Sequence, residues 1–259
     1  MKRLLDEIVA HKREEVAAAQ RTLPLAELKR RLTHHQRERD FIEALRPPGH
    51  LALIAELKRQ SPSGGMLRER FDPIQIAQTY QESGAAALSV LTDTRYFGGQ
   101  LSFLRDIKDF TEIPILRKDF IVDEYQLYES AWAAADAVLL IARLLAPEAL
   151  RRFVALAHEL QLDVLAEVHA EAELDDVLAA GCRLIGINHR DLDTLAIDPA
   201  LSQRLVARIP KTCTIVAESG LHTRADIERM RALGIHAVLI GEAFMRSPDI
   251  AATVRELMS

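Results

Sequence analysis

The stretch LIAELKRQSPSGG, residues 53–65, breaks an apolar run with Glu56 and Lys58. Residues two apart on an extended chain point the same way. The carboxylate and the ammonium therefore share a face with Ile54, while Leu53, Ala55 and Leu57 take the other. The same spacing recurs. Leu116, Lys118 and Phe120 share a face, as do Leu165 and Glu167, and Gly186, Asn188 and Arg190; a further run ends in Glu218 and Ser219. If these faces converge, the cations Lys58, Lys118 and Arg190 meet the carboxylates Glu56, Glu167 and Glu218 beside the carboxamide of Asn188. Any one of these charges alone reads as a solvated rim residue. A cluster withdrawn from water must be paired, and such clusters commonly serve acid–base chemistry. A lysine whose pKa its neighbours lower can give up a proton or form a Schiff base, and a nearby carboxylate can accept a proton.

Elements that could bring these faces together are legible. After residue 50, short β-rich runs cover 51–57, 86–92, 113–120, 137–142, 163–168, 184–188, 214–219 and 237–242. Segments with helix-like apolar spacing separate them, such as PIQIAQTYQESG and PEALRRFVALAHELQ, several ending in Gly. Strand–helix alternation demands a parallel sheet with crossovers. Eight repeats in a chain of 259 residues favour closure into a (β/α)8 TIM barrel over an open sheet. Residues 1–48 read as an N-terminal helical extension and 49–259 as the barrel. Asp40 is expected to cap a helix and Pro47-Pro48-Gly49 to stop it. In this architecture the strands' C-terminal ends carry the site, and the loops after the last two strands hold phosphate. There, Ser219-Gly220 and Gly241-Glu242 each lie between a strand and a helix, where glycine lets an anion approach free backbone N–H groups. The alternative reading of these glycines is that they only make tight turns.

Composition excludes several classes. A formal charge of -5 with no basic block argues against a nucleic-acid partner, although the first 45 residues are locally rich in Lys and Arg. No run approaches the roughly 18 apolar residues of a membrane span, and the charged N-terminus is no signal peptide. Cys182 and Cys213 form no CxxC pattern and read as buried free thiols of a cytoplasmic protein. His169, between Glu167 and Glu171, is a weak metal candidate because Glu171 falls into the next helix. His34 and His35 read as solvated, and Trp132 as helix packing. No GxxxxGKS or GxGxxG follows a strand.

Five segments, IAELKRQSPSGG, PILRKDFIVDEYQ, INHRDLDTLAID, VAESGLHTRADI and LIGEAFMR, together resemble the indole-3-glycerol phosphate synthase family of tryptophan biosynthesis. The resemblance runs from about residue 50 to the end, and the N-terminal helices fit the family's extension. It implies a ring closure without cofactor or metal, on a phosphorylated small-molecule substrate. By the family's pattern Lys118 would be the general acid at a carbonyl. Glu167 would stabilise developing positive charge or move protons, and Glu56 and Lys58 would assist dehydration and position the substrate. Asn188 would orient it with Arg190 alongside, and Ser219 and Glu218 belong to the same mouth. Ser61, Gly220, Gly241 and Glu242 would hold phosphate, mostly through backbone, and Phe97, Phe120 and Leu139 would form an apolar slot. His189, Gln60 and Gly64 depart from the family's pattern, and the second glycine of SPSGG would loosen the first loop. The rival readings are another phosphate-sugar barrel such as phosphoribosylanthranilate isomerase, a barrel that only binds, and an interaction role for the basic N-terminal helices. A monomer or a weak homodimer with no fused second enzyme is expected.

Overall fold

The eight β-rich runs form strands β1 Ala52–Leu57, β2 Ala87–Leu91, β3 Ile115–Lys118, β4 Ala137–Ile141, β5 Asp163–Val168, β6 Leu184–Asn188, β7 Thr214–Glu218 and β8 Ala237–Ile240. Each pairs in parallel with its chain neighbour and β8 closes on β1, a (β/α)8 barrel. A computed structural model describes residues 4–32 and 39–259; His34 and His35 lie outside the described residues. β3 is shorter than the run 113–120. Pro114 has no N–H for the ladder, and beyond Lys118 the Asp119 carboxylate accepts the N–H of Phe120 at 2.8 Å. The last run stops at Ile240, because Gly241 leads into a short helix, Glu242–Arg246.

Strand alternation sorts the apolar residues into two cores. Ile54, Ala87, Leu116, Leu139, Leu165 and Leu184 fill the barrel interior. Leu53, Ala55, Leu57, Leu88 and Val90 face the helices. Each aliphatic chain so buried contributes about 1.5–3 kcal/mol. The inward parity read from residues 54, 56 and 58 is thus the packed one. At the N-terminal end of the strands, Phe41 and Leu45 plug the interior and are fully buried. Asp40 caps the helix Phe41–Ala44 by accepting the Glu43 N–H at 2.8 Å. Asp163 accepts the N–H groups of Phe41 and Ile42 at 3.1 and 3.2 Å, tying that plug to β5.

The other end is covered by helix α1, Leu4–Thr22. Its apolar face sends Leu5 and Ile8 into the interior core. Between that face and the barrel lies a buried lysine. Lys12 Nζ sits 2.9 Å from Asp93 Oδ2 and 2.9 Å from Asp119 Oδ1, beyond β2 and β3 respectively. Glu15 Oε2 completes its shell at 2.6 Å. Arg117 holds the other oxygen of Asp119 at 3.0 Å and Glu129 at 2.8 Å. Burial pushes the Asp119 carboxyl up, but Arg117 and Lys12 outweigh it and hold it at about 2. Burial likewise disfavours the Lys12 charge, yet Asp119 and Asp93 raise its pKa above the ordinary lysine value. Trp132 packs under the guanidinium of Arg105, 4.8 Å from its ring centre. Among the described residues no helix is long and apolar enough to cross a membrane.

Lys12→Met should therefore cost about 3–5 kcal/mol at neutral pH, because it leaves buried carboxylates short of a cation. The stability carried by Asp119 is present above its unfolded pKa and is lost as pH falls towards 2. The gap between wild type and variant in urea midpoints should accordingly narrow below about pH 4.

Candidate active site

The C-terminal ends of the strands open into one cavity. Lys118, the last residue of β3, reaches across it. Its Nζ lies 2.7 Å from Glu167 Oε2 at the end of β5 and 3.4 Å from Glu218 Oε2 at the end of β7. All three side chains are nearly closed off from solvent. Opposite them, Lys58 Nζ donates to Glu56 Oε1 at 2.6 Å. Ser89 of β2 stands 3.4 Å from the second Glu56 oxygen.

The surroundings set each charge. Burial disfavours the Lys118 ammonium, but Glu167, Glu218 and Glu56 together raise its pKa above the ordinary value. The carboxylates around Lys118 thus act against the lowered pKa that a Schiff-base lysine would need. A Schiff base needs a neutral amine, and this one is held as a cation. The two carboxyls sharing it diverge. Burial pushes both up. At Glu167 the Lys118 and His169 cations win, and the pKa lies well below the usual range. At Glu218 burial and the Glu167 charge outweigh Lys118, and the pKa is raised. Glu218 Oε1 is buried without a hydrogen-bond partner, a cost that protonation of the group lowers. Such a split between neighbouring carboxyls separates a resident anion from a resident acid.

Small residues leave room for these groups. A Cβ on Gly186 would stand 2.3 Å from Glu218 Oε1. One on Gly241 would stand 2.6 Å from Glu56 Oε1. Asn188 closes β6, and its Oδ1 accepts the Arg190 N–H at 3.0 Å. Arg190 pairs with Ile197 in an isolated antiparallel bridge, so the loop after β6 folds back over the mouth. Ser219 and Gly220 both adopt left-handed φ, +65° and +71°, and turn the chain sharply after β7. The SPSGG segment is a hairpin, Gln60–Ser61 against Gly65–Met66. Ser61 Oγ accepts the Gly64 N–H at 3.0 Å, and Arg246 donates to the Gly64 carbonyl at 2.8 Å. Arg246 also pairs with Glu242 at 3.0 Å.

The other wall is apolar. The Phe97 and Phe120 rings lie 6.0 Å apart at 38°, with Leu139 of β4 beside them. Glu56, Lys58, Ser61, Phe97, Lys118, Phe120, Leu139, Glu167, Asn188, Arg190, Glu218, Ser219, Gly220, Gly241 and Glu242 all line this cavity. Leu4, Leu5 and Ile8 of α1 line it too. The N-terminal helices read as an extension that packs against the barrel or caps one end, and nothing local says that this face closes a cavity. His189 turns away from the mouth. Its Nδ1 lies 2.9 Å from the Ser219 carbonyl and its Nε2 2.7 Å from Ser202 Oγ. A carbonyl can only accept, so Nδ1 carries the proton, and burial lowers the ring's pKa. Its parity, opposite to that of Asn188, fits this turn away from the mouth. Among the described residues no three His, Cys, Asp or Glu side chains gather as a metal site.

A family model described as indole-3-glycerol phosphate synthase matches residues 5–257. The relative named indole-3-glycerol phosphate synthase in Desulforamulus reducens is 44% identical over 256 residues, covering 98% of this chain and 97% of its own. Those of the same name in Rhodopirellula baltica and Albidiferax ferrireducens are each 45% identical, covering 99% of this chain and 99% and 98% of their own. Solved structures share the fold at low identity. KGPDC from Streptococcus mutans superposes with a TM-score of 0.62 at 11% identity, over 80% of this chain and 95% of its own. Thiamine phosphate pyrophosphorylase from Pyrococcus furiosus gives 0.60 at 16%, over 80% and 93%.

Proposed function

The chain belongs to the indole-3-glycerol phosphate synthase family, and from that premise we propose how its mouth performs the family's ring closure. The family's enzymes are decarboxylating lyases of tryptophan biosynthesis. They convert 1-(2-carboxyphenylamino)-1-deoxyribulose 5-phosphate to indole-3-glycerol phosphate, carbon dioxide and water. The observation that carries the assignment of roles is the Lys118 ammonium reaching Glu167 at 2.7 Å and Glu218 at 3.4 Å, whose surroundings push the two carboxyls in opposite directions.

In our reading the anthranilate ring lies in the slot of Phe97, Phe120 and Leu139, where flat apolar walls suit it. The phosphate sits across the barrel among the backbone groups of Ser61, Gly220, Gly241 and Glu242. The left-handed Ser219-Gly220 turn and Gly241, whose missing side chain leaves room against Glu56, support that end. In that pose the ribulose C2' carbonyl lies over Lys118. The aromatic carbon bearing the carboxylate attacks C2', and Lys118 gives the oxygen a proton as its charge develops. Glu167, an anion at bonding distance from Lys118, stabilises the cationic ring that results. Carbon dioxide then leaves with cleavage of the aryl–carboxylate bond, whose electron pair restores aromaticity. The new hydroxyl must depart as water, which requires a second proton, and the adjacent C–H proton must go to a base. The Lys58–Glu56 pair, 2.6 Å apart, supports that acid–base exchange. Asn188 orients the substrate's hydroxyls and carboxylate with Arg190 alongside, while Ser219 and Glu218 complete the polar wall.

Buried free thiols at Cys182 and Cys213 support a cytoplasmic setting. The isomerase alternative is not favoured by the family match.

Purified protein should convert the anthranilate ribulose phosphate to a fluorescent indole product; folded protein without turnover would overturn the reading. Lys118→Ala should lower kcat by about 10²–10⁴-fold with KM changed far less. Near-normal kcat in that variant would remove Lys118 from the acid role. Gly186→Ala should displace the Glu218 carboxyl, cutting kcat at least tenfold and costing about 1–3 kcal/mol of stability, while circular dichroism shows the fold retained.

A further inference from the structure

Glu167 has two oxygens, and only one is committed to Lys118. The other, Oε1, lies 3.0 Å from Nε2 of His169. The His169 side chain is wholly buried against the Glu167 carboxylate and is not among the residues that line the cavity. The approach has ion-pair distance, while its angle falls short of a directed hydrogen bond. Charge is therefore the content of the contact.

The ring is itself held from behind. Glu173, in the turn after β5, accepts the His169 backbone N–H at 2.6 Å and stands 3.8 Å from Nδ1. Arg143, beyond β4, grips the other Glu173 oxygen at 2.8 Å and reaches Asp191 at 3.4 Å. An alternating row results: Lys118, Glu167, His169, Glu173, Arg143, Asp191. Glu218 also pairs with Lys118 at 3.4 Å, while the ion pairs of His169 run to Glu167 and Glu173. A neutral imidazole between two carboxylates in a dry site would leave a lone pair facing an anion, whereas an imidazolium satisfies both sides.

We propose that His169 is a positioning residue: clamped from behind by Glu173 and Arg143, it holds the Glu167 carboxylate towards Lys118 as an anion and so leaves the shared proton on Glu218. The inference rests on the assignment of Glu167 to charge stabilisation in the ring closure. Burial alone would make the imidazole less basic, but Glu167 and Glu173 raise its pKa to about 9. Burial pushes the Glu173 carboxyl up, while His169 and Arg143 outweigh it and hold it low. The row is thus charged end to end near neutrality. A histidine merely filling space would need none of these partners.

The test replaces the ring in two ways. His169→Phe keeps a flat ring without charge, and His169→Gln keeps an amide donor without charge. In both, the acid limb of the kcat–pH profile should move up by about 1–3 units, because Glu167 loses a cation within ion-pair distance. kcat at pH 7 should fall tenfold or more with KM little changed. Independently of turnover, the His169 imidazole of the wild type should stay protonated beyond pH 8 in an NMR titration, and Glu173→Gln should bring its midpoint down. An unshifted acid limb in an active, folded His169→Phe enzyme would overturn the inference and leave the ring-closure reading standing. A ring that titrates at or below its ordinary value in the wild type would overturn it too. If the wild type shows no turnover, the ring-closure reading fails, and the NMR titration still decides the charge of His169.

Discussion

An ammonium inside a barrel survives only if carboxylates surround it, and the arrangement of this mouth follows from that demand at Lys118. Removing its charge from water costs several kcal/mol, offset only by close opposite charges. Glu167 and Glu218 supply them at 2.7 and 3.4 Å. Two carboxylates beside one cation cannot both ionise cheaply, so one keeps a proton. The pair becomes an anion and an acid through placement alone. The space they need explains the glycine in β6, where any Cβ would collide with Glu218.

The same logic operates one layer out. Lys12 is buried beside Asp93 and Asp119, with Arg117 and Glu129 completing the set. This second cluster fastens α1 to the strand ends after β2 and β3. Fastening matters because α1 provides Leu4, Leu5 and Ile8 as part of the cavity wall. The apolar slot thus depends on a distant ion cluster, and the polar wall depends on the row that runs from Glu167 to Asp191. Charge pairing therefore both builds the reaction chamber and covers it.

Much of this was legible along the chain. Alternation at 54, 56 and 58 put Glu56 and Lys58 on one face with Ile54, and a slip of one residue would have turned both charges into the helix-facing core. Strand–helix repetition identified the barrel because parallel strands need crossovers. The direction of the Lys118 shift was not legible. A lysine's pKa depends on which charges lie within a few ångströms, and Glu167 and Glu218 are 49 and 100 positions away. His189 and His169 looked alike as histidines at strand ends. One braces a backbone carbonyl and the other faces a carboxylate, a difference set by which way each strand end turns.

The order of types along the chain determined the strands, their inward faces, the family and the set of polar groups delivered to one end of a barrel. Periodicity and side-chain chemistry are local, and one chain of letters carries them. Only the tertiary structure decided which charges pair, which carboxyl keeps its proton, that α1 closes the slot and that His169 stands behind Glu167. Those outcomes depend on distances between residues far apart in sequence, and electrostatic energy in a dry interior changes steeply with each ångström.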